Sequence, residues 1–144
     1  MENTILNYEW NEVNSVLDAF LNSHRNQDIE LLSKIFSHDT EMINFGSDED
    51  EIFTGWEELR ESFLKQFRSF EKTEVNSRDR KTKFSKDLNV CWYSEILDFR
   101  IIIDAKPIFL EGFRHTGTME KIDGNWIIVQ FHYSVPVKGQ AVQY

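Results

Sequence analysis

Apolar side chains recur at helical spacing near the start of the chain: Leu6, Trp10, Val13, Val16, Leu17, Phe20 and Leu21, separated mostly by Asn, Glu and Ser. This periodicity predicts an amphipathic helix from about Glu9 to Arg25. Asn26-Gln27 interrupts the pattern, and Asp28 can cap a second, shorter helix with Ile29, Leu32, Ile35 and Phe36 as its stripe. Thr40 to Phe45 alternates, with Met42 and Asn44 on one face, and predicts a first strand. Ile52-Phe53 predicts a brief second one. Thr54 then opens a third helix, because it can cap while Glu57 reaches back in a capping box. Trp56, Leu59, Phe63, Phe67 and Phe70 mark the buried stripe of that helix, which ends near Phe70.

From there the period changes to two. Glu74 to Phe84, Val90 to Ile103, Ile108 to Lys121 and Trp126 to Val137 predict four long strands. Lys86-Asp87-Leu88-Asn89 and Asp104-Ala105-Lys106-Pro107 supply the first two turns. The last turn is Ile122-Asp123-Gly124-Asn125, and Asp-Gly suits a type I′ hairpin, which needs positive φ at both central residues. A simple two-residue register follows from it. Glu120 is expected opposite Ile127, Thr118 opposite Val129, Thr116 opposite Phe131 and Arg114 opposite Tyr133. On the other face, Met119 meets Ile128, Gly117 meets Gln130, His115 meets His132 and Phe113 meets Ser134. Three helices followed by an antiparallel meander define an α+β domain: a cone-shaped curved antiparallel or mixed sheet wrapped around the helices, with an internal cavity.

Composition narrows the function classes. At 144 residues the chain is one domain, and twelve Phe and four Trp can furnish a wide core. A net charge of −9 argues against nucleic acid and against an anionic membrane surface, since there is no basic stripe to meet phosphates. The single cysteine, Cys91, excludes an internal disulfide framework. The opening MENTILNYEW lacks the charged and apolar regions of a signal peptide, and no apolar run approaches the roughly 20 residues of a spanning helix. A cytoplasmic setting is expected. The acidic run Ser47 to Glu51 lacks the alternating carboxylates and central Gly of a calcium loop and reads as solvated. No cofactor and no metal are expected: His115 and His132 pair in the register above, but no third ligand accompanies them.

Particular residues carry a resemblance. Asn26-Gln27-Asp28-Ile29-Glu30, Phe36-Ser37-His38-Asp39 and Phe53-Thr54-Gly55 before a helix resemble the nuclear transport factor 2-like superfamily. Arg114-x-Thr116, Lys121-Ile122-Asp123-Gly124-Asn125-Trp126 and His132-x-Ser134-x-Pro136 are similar to its SnoaL-like branch. The ketosteroid isomerases of this superfamily use an Asp base, a Tyr proton donor and a late-strand acid. The resemblance puts Asn44, Phe20 and Thr116 at those positions. An amide cannot take the proton and Phe cannot donate one, so ketosteroid isomerase chemistry is not expected.

The resemblance also implies which hairpin face looks inward: Arg114, Thr116, Thr118, Val129, Phe131 and Tyr133. Tyr93, Glu95 and Leu97 join them if the preceding turn keeps a simple register, whereas a bulge would bring in Trp92 and Ser94. Arg114 reads either as a fork for a ligand carboxylate or as a structural partner of Glu95 or Asp98. The leading expectation is a domain that holds a small organic ligand through Arg114 and Tyr133, with Asn44, Phe20, Tyr93 and Trp56 around it. The rivals are an isomerase, dehydratase or cyclase using Glu95 or His132 as acid or base, and a dimerisation domain with a vestigial cavity. The resemblance further implies a homodimer through the outer sheet face, with Trp126, Gln130, His115 and His132 at the contact.

Overall fold

In the computed structural model, which describes residues 2–144, the elements run α1 (Glu2–Asn26), α2 (Ile29–Ile35), β1 (Ile43–Phe45), β2 (Ile52–Thr54), α3 (Gly55–Ser69), β3 (Lys72–Phe84), β4 (Val90–Ile103), β5 (Lys106–Ile122) and β6 (Asn125–Ser134). The six strands form one sheet in the order β2-β1-β6-β5-β4-β3. β3 to β6 are an antiparallel meander, and β1 runs parallel to β6. The sheet is mixed, curved and unclosed, and the helices fill its concave side, which is the α+β architecture read from the sequence. No helix among the described residues is long and apolar enough to cross a membrane.

The helices follow their stripes with corrections in α1 and α3. α1 begins well before Glu9, and in it Val13, Leu17, Phe20 and Leu21 are buried, but Leu6 and Trp10 are exposed, at 43% and 50%. Glu9 takes the inward position instead. Its carboxylate accepts from Trp126 Nε1 at 2.6 Å and from Lys121 Nζ, and two donors make the buried acid tolerable. At α2, Asp28 caps as expected, accepting from Leu31 N at 3.1 Å. At α3, Thr54 holds the cap position without a side-chain bond, and it is Glu58, not Glu57, that reaches back to Thr54 N at 2.7 Å.

The hairpin decides where the site lies. Asp123 (φ 52°) and Gly124 (φ 83°) make the expected turn, and Glu120↔Ile127 and Met119↔Ile128 pair as predicted. Then the register slips: Thr118 pairs with Gln130, so Val129 is the extra residue of a β-bulge. Beyond it His115 faces Tyr133, Thr116 faces His132 and Arg114 faces Ser134. A one-residue slip reverses the faces of one strand relative to the other. Phe131 and Tyr133 look inward as expected, but their β5 partners are Gly117 and His115, with Phe113 on the same inner face, while Arg114 and Thr116 stand exposed on the outer face. Trp126 and His115 are buried against the helices, so of the four expected outer-face residues only Gln130 and His132 lie outside. In β4, Cys91, Tyr93, Glu95, Leu97, Phe99 and Ile101 are all buried and Trp92 is 49% exposed, so Tyr93, Glu95 and Leu97 do face inward. The β4–β5 register is nevertheless not simple, because it shifts between Leu97 and Phe99, and these residues share the inner face with His115 and Phe113 rather than with Arg114 and Thr116.

Candidate functional site: an aromatic pocket beside a buried polar row

Two further bulges place polar side chains inside the sheet. One falls between Arg78 and Lys81, where Asp79 has φ 55°, and it turns Arg80 to the inner face beside Glu95. The other falls opposite Asp98, which accepts from Gly112 N at 2.8 Å and is paired by Arg78, not Arg114. The result is a row across four strands: Arg80, Glu95, His115 and Tyr133.

Glu95 has no exposed side-chain surface, yet it accepts from three donors. Ser77 Oγ gives 2.6 Å, Arg80 Nε 2.8 Å and His115 Nδ1 2.8 Å. Burial alone would raise the carboxyl's pKa, but the bonds from His115 and Ser77 and the charge of Arg80 outweigh it and hold it below the ordinary value. Burial lowers the pKa of His115, and Glu95 only partly opposes this. The pair is therefore a carboxylate and a neutral imidazole with its proton on Nδ1. Nε2 is then the acceptor for Tyr93 OH at 3.2 Å. Gly117 makes that contact possible: a Cβ there would fall on Tyr93 OH and 2.5 Å from Gln130 O. Phe20 covers the other side of His115, its ring stacked at 4.6 Å. No buried polar atom of Arg80, Glu95 or His115 is left without a partner, and Glu95, His115 and Tyr93 lie outside the lining of the neighbouring pocket.

That pocket, about 380 Å³, opens between α3, the β1–β2 loop and the inner face of the sheet. Its walls are aromatic: Phe53, Phe63, Phe67, Phe99, Phe113 and Phe131. At its buried end are His24 and Tyr133. His24 Nδ1 donates to Phe20 O at 2.9 Å, one helical turn back, which leaves Nε2 on the far edge of the ring as a bare acceptor. Burial lowers its pKa to about 4, so it is neutral. Tyr133 OH has no partner either, and burial, with the charges of Glu95 and Glu51 nearby, keeps it protonated.

Of the residues expected at the site, Phe131 and Tyr133 border this pocket. Arg114 and Thr116 do not, because the bulge at Val129 leaves them on the outer face; His132 is on the outer face as expected, its ring centroid 5.5 Å from that of Phe45, and so does not reach the pocket either. Asn44 is buried with Oδ1 accepting from Phe131 N at 2.9 Å, tying β1 to β6. Trp56 stacks between Phe36 and His38 at 5.7 and 5.1 Å. The sequence reading missed His24, although a signal existed: Val13, Leu17, Phe20 and His24 form one unbroken buried stripe, with a polar residue at its end. Arg80 carried no comparable signal, since only the bulge turns it inward.

Solved structures with this fold include a nuclear transport factor 2-like superfamily protein from Salmonella enterica, 18% identical, with a TM-score of 0.84 over 96% of this chain and 99% of that one. A provisionally named scytalone dehydratase from Novosphingobium aromaticivorans is 13% identical, with a TM-score of 0.81 over 95% and 89%. A provisionally named dehydratase of the same superfamily from Streptomyces avermitilis is 12% identical, with a TM-score of 0.78 over 88% and 95%. At these identities the likeness is one of fold. No curated protein matches the sequence. The family model for the SnoaL-like domain matches residues 13–138, most of the chain and every residue that lines the pocket, and the chain belongs to that family.

Proposed function

We propose that this protein binds a small, largely aromatic organic molecule in the pocket between α3 and the sheet. The observation that carries this is that two of the four buried side-chain polar atoms without partners among the described residues, His24 Nε2 and Tyr133 OH, belong to the lining of one aromatic-walled cavity, whereas the other two, Asn44 Nδ2 and Thr82 Oγ1, do not. A buried polar group left unpaired costs about 1–3 kcal/mol, and a ligand that bonds to both recovers that cost. The volume falls in the range typical of small-molecule sites. Arg114, on the outer face, has no part in this reading.

Binding is favoured over acid–base chemistry by the strength of the groups. A histidine with a pKa of about 4 accepts a hydrogen bond but is a weak base, and each unit of pKa it lacks costs about 1.4 kcal/mol in a proton transfer. Glu95 is a stronger candidate by charge, but three donors already occupy it. The dehydratase names belong to proteins of low identity, and their reaction is not carried over. We also keep the outer sheet face, with Trp92, Gln130 and His132, as the surface through which two copies would pair.

The test is a titration with 4-methylphenol followed by NMR. The expected result is saturable shifts of His24 and Tyr133 resonances, with affinity lowered about tenfold in His24→Phe and in Tyr133→Phe. Shifts confined to the outer face around Arg114 and His132, or none in either place, would overturn the proposal.

A further inference from the structure

The charge of the pocket lining has one sign. Its lining includes two carboxylates, Asp48 and Glu51, and no Lys or Arg among the described residues. Outside them, a cleft that shares Asp48, Glu51, Phe53 and Phe70 with the pocket adds Asp50, Glu58 and Glu61 against Lys65 and Arg68. Five carboxylates and two cations leave three net negative charges at the entrance. The chain as a whole, at −9, adds to the same potential. The deep end is neutral by contrast: His24 offers a lone pair and Tyr133 a hydroxyl, and both side chains are buried.

These two ends select a ligand between them. An anion entering this pocket would pass five carboxylates against only Lys65 and Arg68 in the outer cleft, and in the pocket lining itself it would find no guanidinium or ammonium, since Arg114 lies on the other side of the sheet. A cation would be drawn in and would meet aromatic faces, which attract positive charge through their quadrupoles. Glu51 is placed to receive it. It is half-buried, and it is fixed by its own loop, with Oε1 accepting from Asp48 N at 2.8 Å and its backbone carbonyl from Gly46 N at 2.8 Å. A carboxylate held so, partly out of water, attracts an ammonium more strongly than a mobile surface acid does.

Building on the proposed binding function, we infer that the ligand class is a cationic aromatic amine: its ring lies between the Phe walls, a hydroxyl or N–H at one end donates to His24 Nε2, and its ammonium sits at the mouth against Glu51 and Asp48. This assigns a ligand site to the Ser47–Glu51 run, which the sequence presents only as an acidic loop.

Three probes of one shape test it: tyramine (cation), 4-ethylphenol (neutral) and 3-(4-hydroxyphenyl)propionate (anion). Affinities are measured by calorimetry, and the site is located by the His24 and Tyr133 resonances. Tyramine is expected to bind about tenfold more tightly than 4-ethylphenol, and the anion more weakly than either. Glu51→Gln should remove most of the advantage of tyramine while leaving 4-ethylphenol unchanged. Asp48→Asn, at an exposed position, should remove less, and added salt should narrow the gap. If 4-ethylphenol binds at His24 and Tyr133 as well as tyramine does, or if Glu51→Gln weakens both equally, the cationic ligand class is overturned and the binding pocket stands. If no probe shifts those resonances, both fall together.

Discussion

Glu95 and His115 face each other across β4 and β5, joined by a bond of 2.8 Å with neither side chain exposed to solvent. A lone carboxylate so placed would be expelled or protonated. Here Arg80 supplies the opposite charge from the neighbouring strand, and Asp18 of α1, at 2.8 Å, holds Arg80 from outside. The chain of contacts therefore runs from the surface of α1 through β3 and β4 to β5, and it fixes how the first helix sits on the sheet. His24 lies on that same helix, so the row also sets the position of the pocket's inner end.

Breaking the row at its centre should be costly. Glu95→Gln leaves Arg80 half-buried without its inner counter-charge, and removing one partner of a buried pair costs about 3–5 kcal/mol. Arg80→Met alone should cost a similar amount, because it strands the carboxylate. In the double variant the second change should cost little, since the charge it would strand is already gone. Chemical denaturation of the four proteins measures the coupling. Additive losses would mean that the two side chains do not stabilise one another.

Acid should destabilise the protein well before ordinary carboxylates protonate. Burial, the largest influence, lowers His24 from 6.5 to about 4, and it lowers His115 as well. Between those pH values the unfolded chain binds protons that the folded chain refuses, so folding is fully favoured above about pH 6.5 and loses ground as pH falls toward 4. For His24 alone the loss is about 3 kcal/mol across that window. Glu95, held low, adds its own loss only below its unfolded value of 4.5. His24→Phe should flatten part of the slope and leave the part that comes from His115. Urea denaturation at about pH 5 and about pH 7.5 compares the two; equal slopes would show that His24 titrates in the fold as it does outside it.

Much of the fold is legible because each element repeats its own signal. Leu59, Phe63 and Phe67 mark α3 several times over, and alternation marks β4 along its length. The Asp123-Gly124 turn is fixed by local backbone chemistry, and it appears where the sequence puts it. What is not legible depends on single insertions. A bulge adds one residue to one strand without altering composition or pattern, and nothing local announces Val129 as that residue. Its effect is not small: with the turn correct, it still exchanges Arg114 for His115 at the inner face. The bulge before Arg80 does the same for β3. Phe131 and Tyr133 keep the inward face that the resemblance implies, whereas Arg114 does not, because the bulge breaks the residue count that would set it opposite Tyr133.

The hairpin can be tested at the two points that set it. Gly124 has φ +83° and nothing within 4 Å of where a Cβ would stand. Gly124→Val therefore meets no neighbour, and any loss is the cost of forcing a β-branched residue into positive φ, expected to exceed about 1 kcal/mol. Val129 is a different case. Met119 pairs with Ile128 and Thr118 with Gln130, so removing Val129 regularises the ladder and keeps every other pair. Ile128, Phe131 and Tyr133 would still face the core in that variant. Deletion of Val129 should thus fold, losing about 1–2 kcal/mol from its partial burial and from the local twist the bulge provides, and the Phe131 and Tyr133 resonances should remain those of buried rings. If the deletion instead exposes Phe131 and Tyr133, the ladder does not hold the pairing assigned to it. His115 would then have to give up the inner face to Arg114.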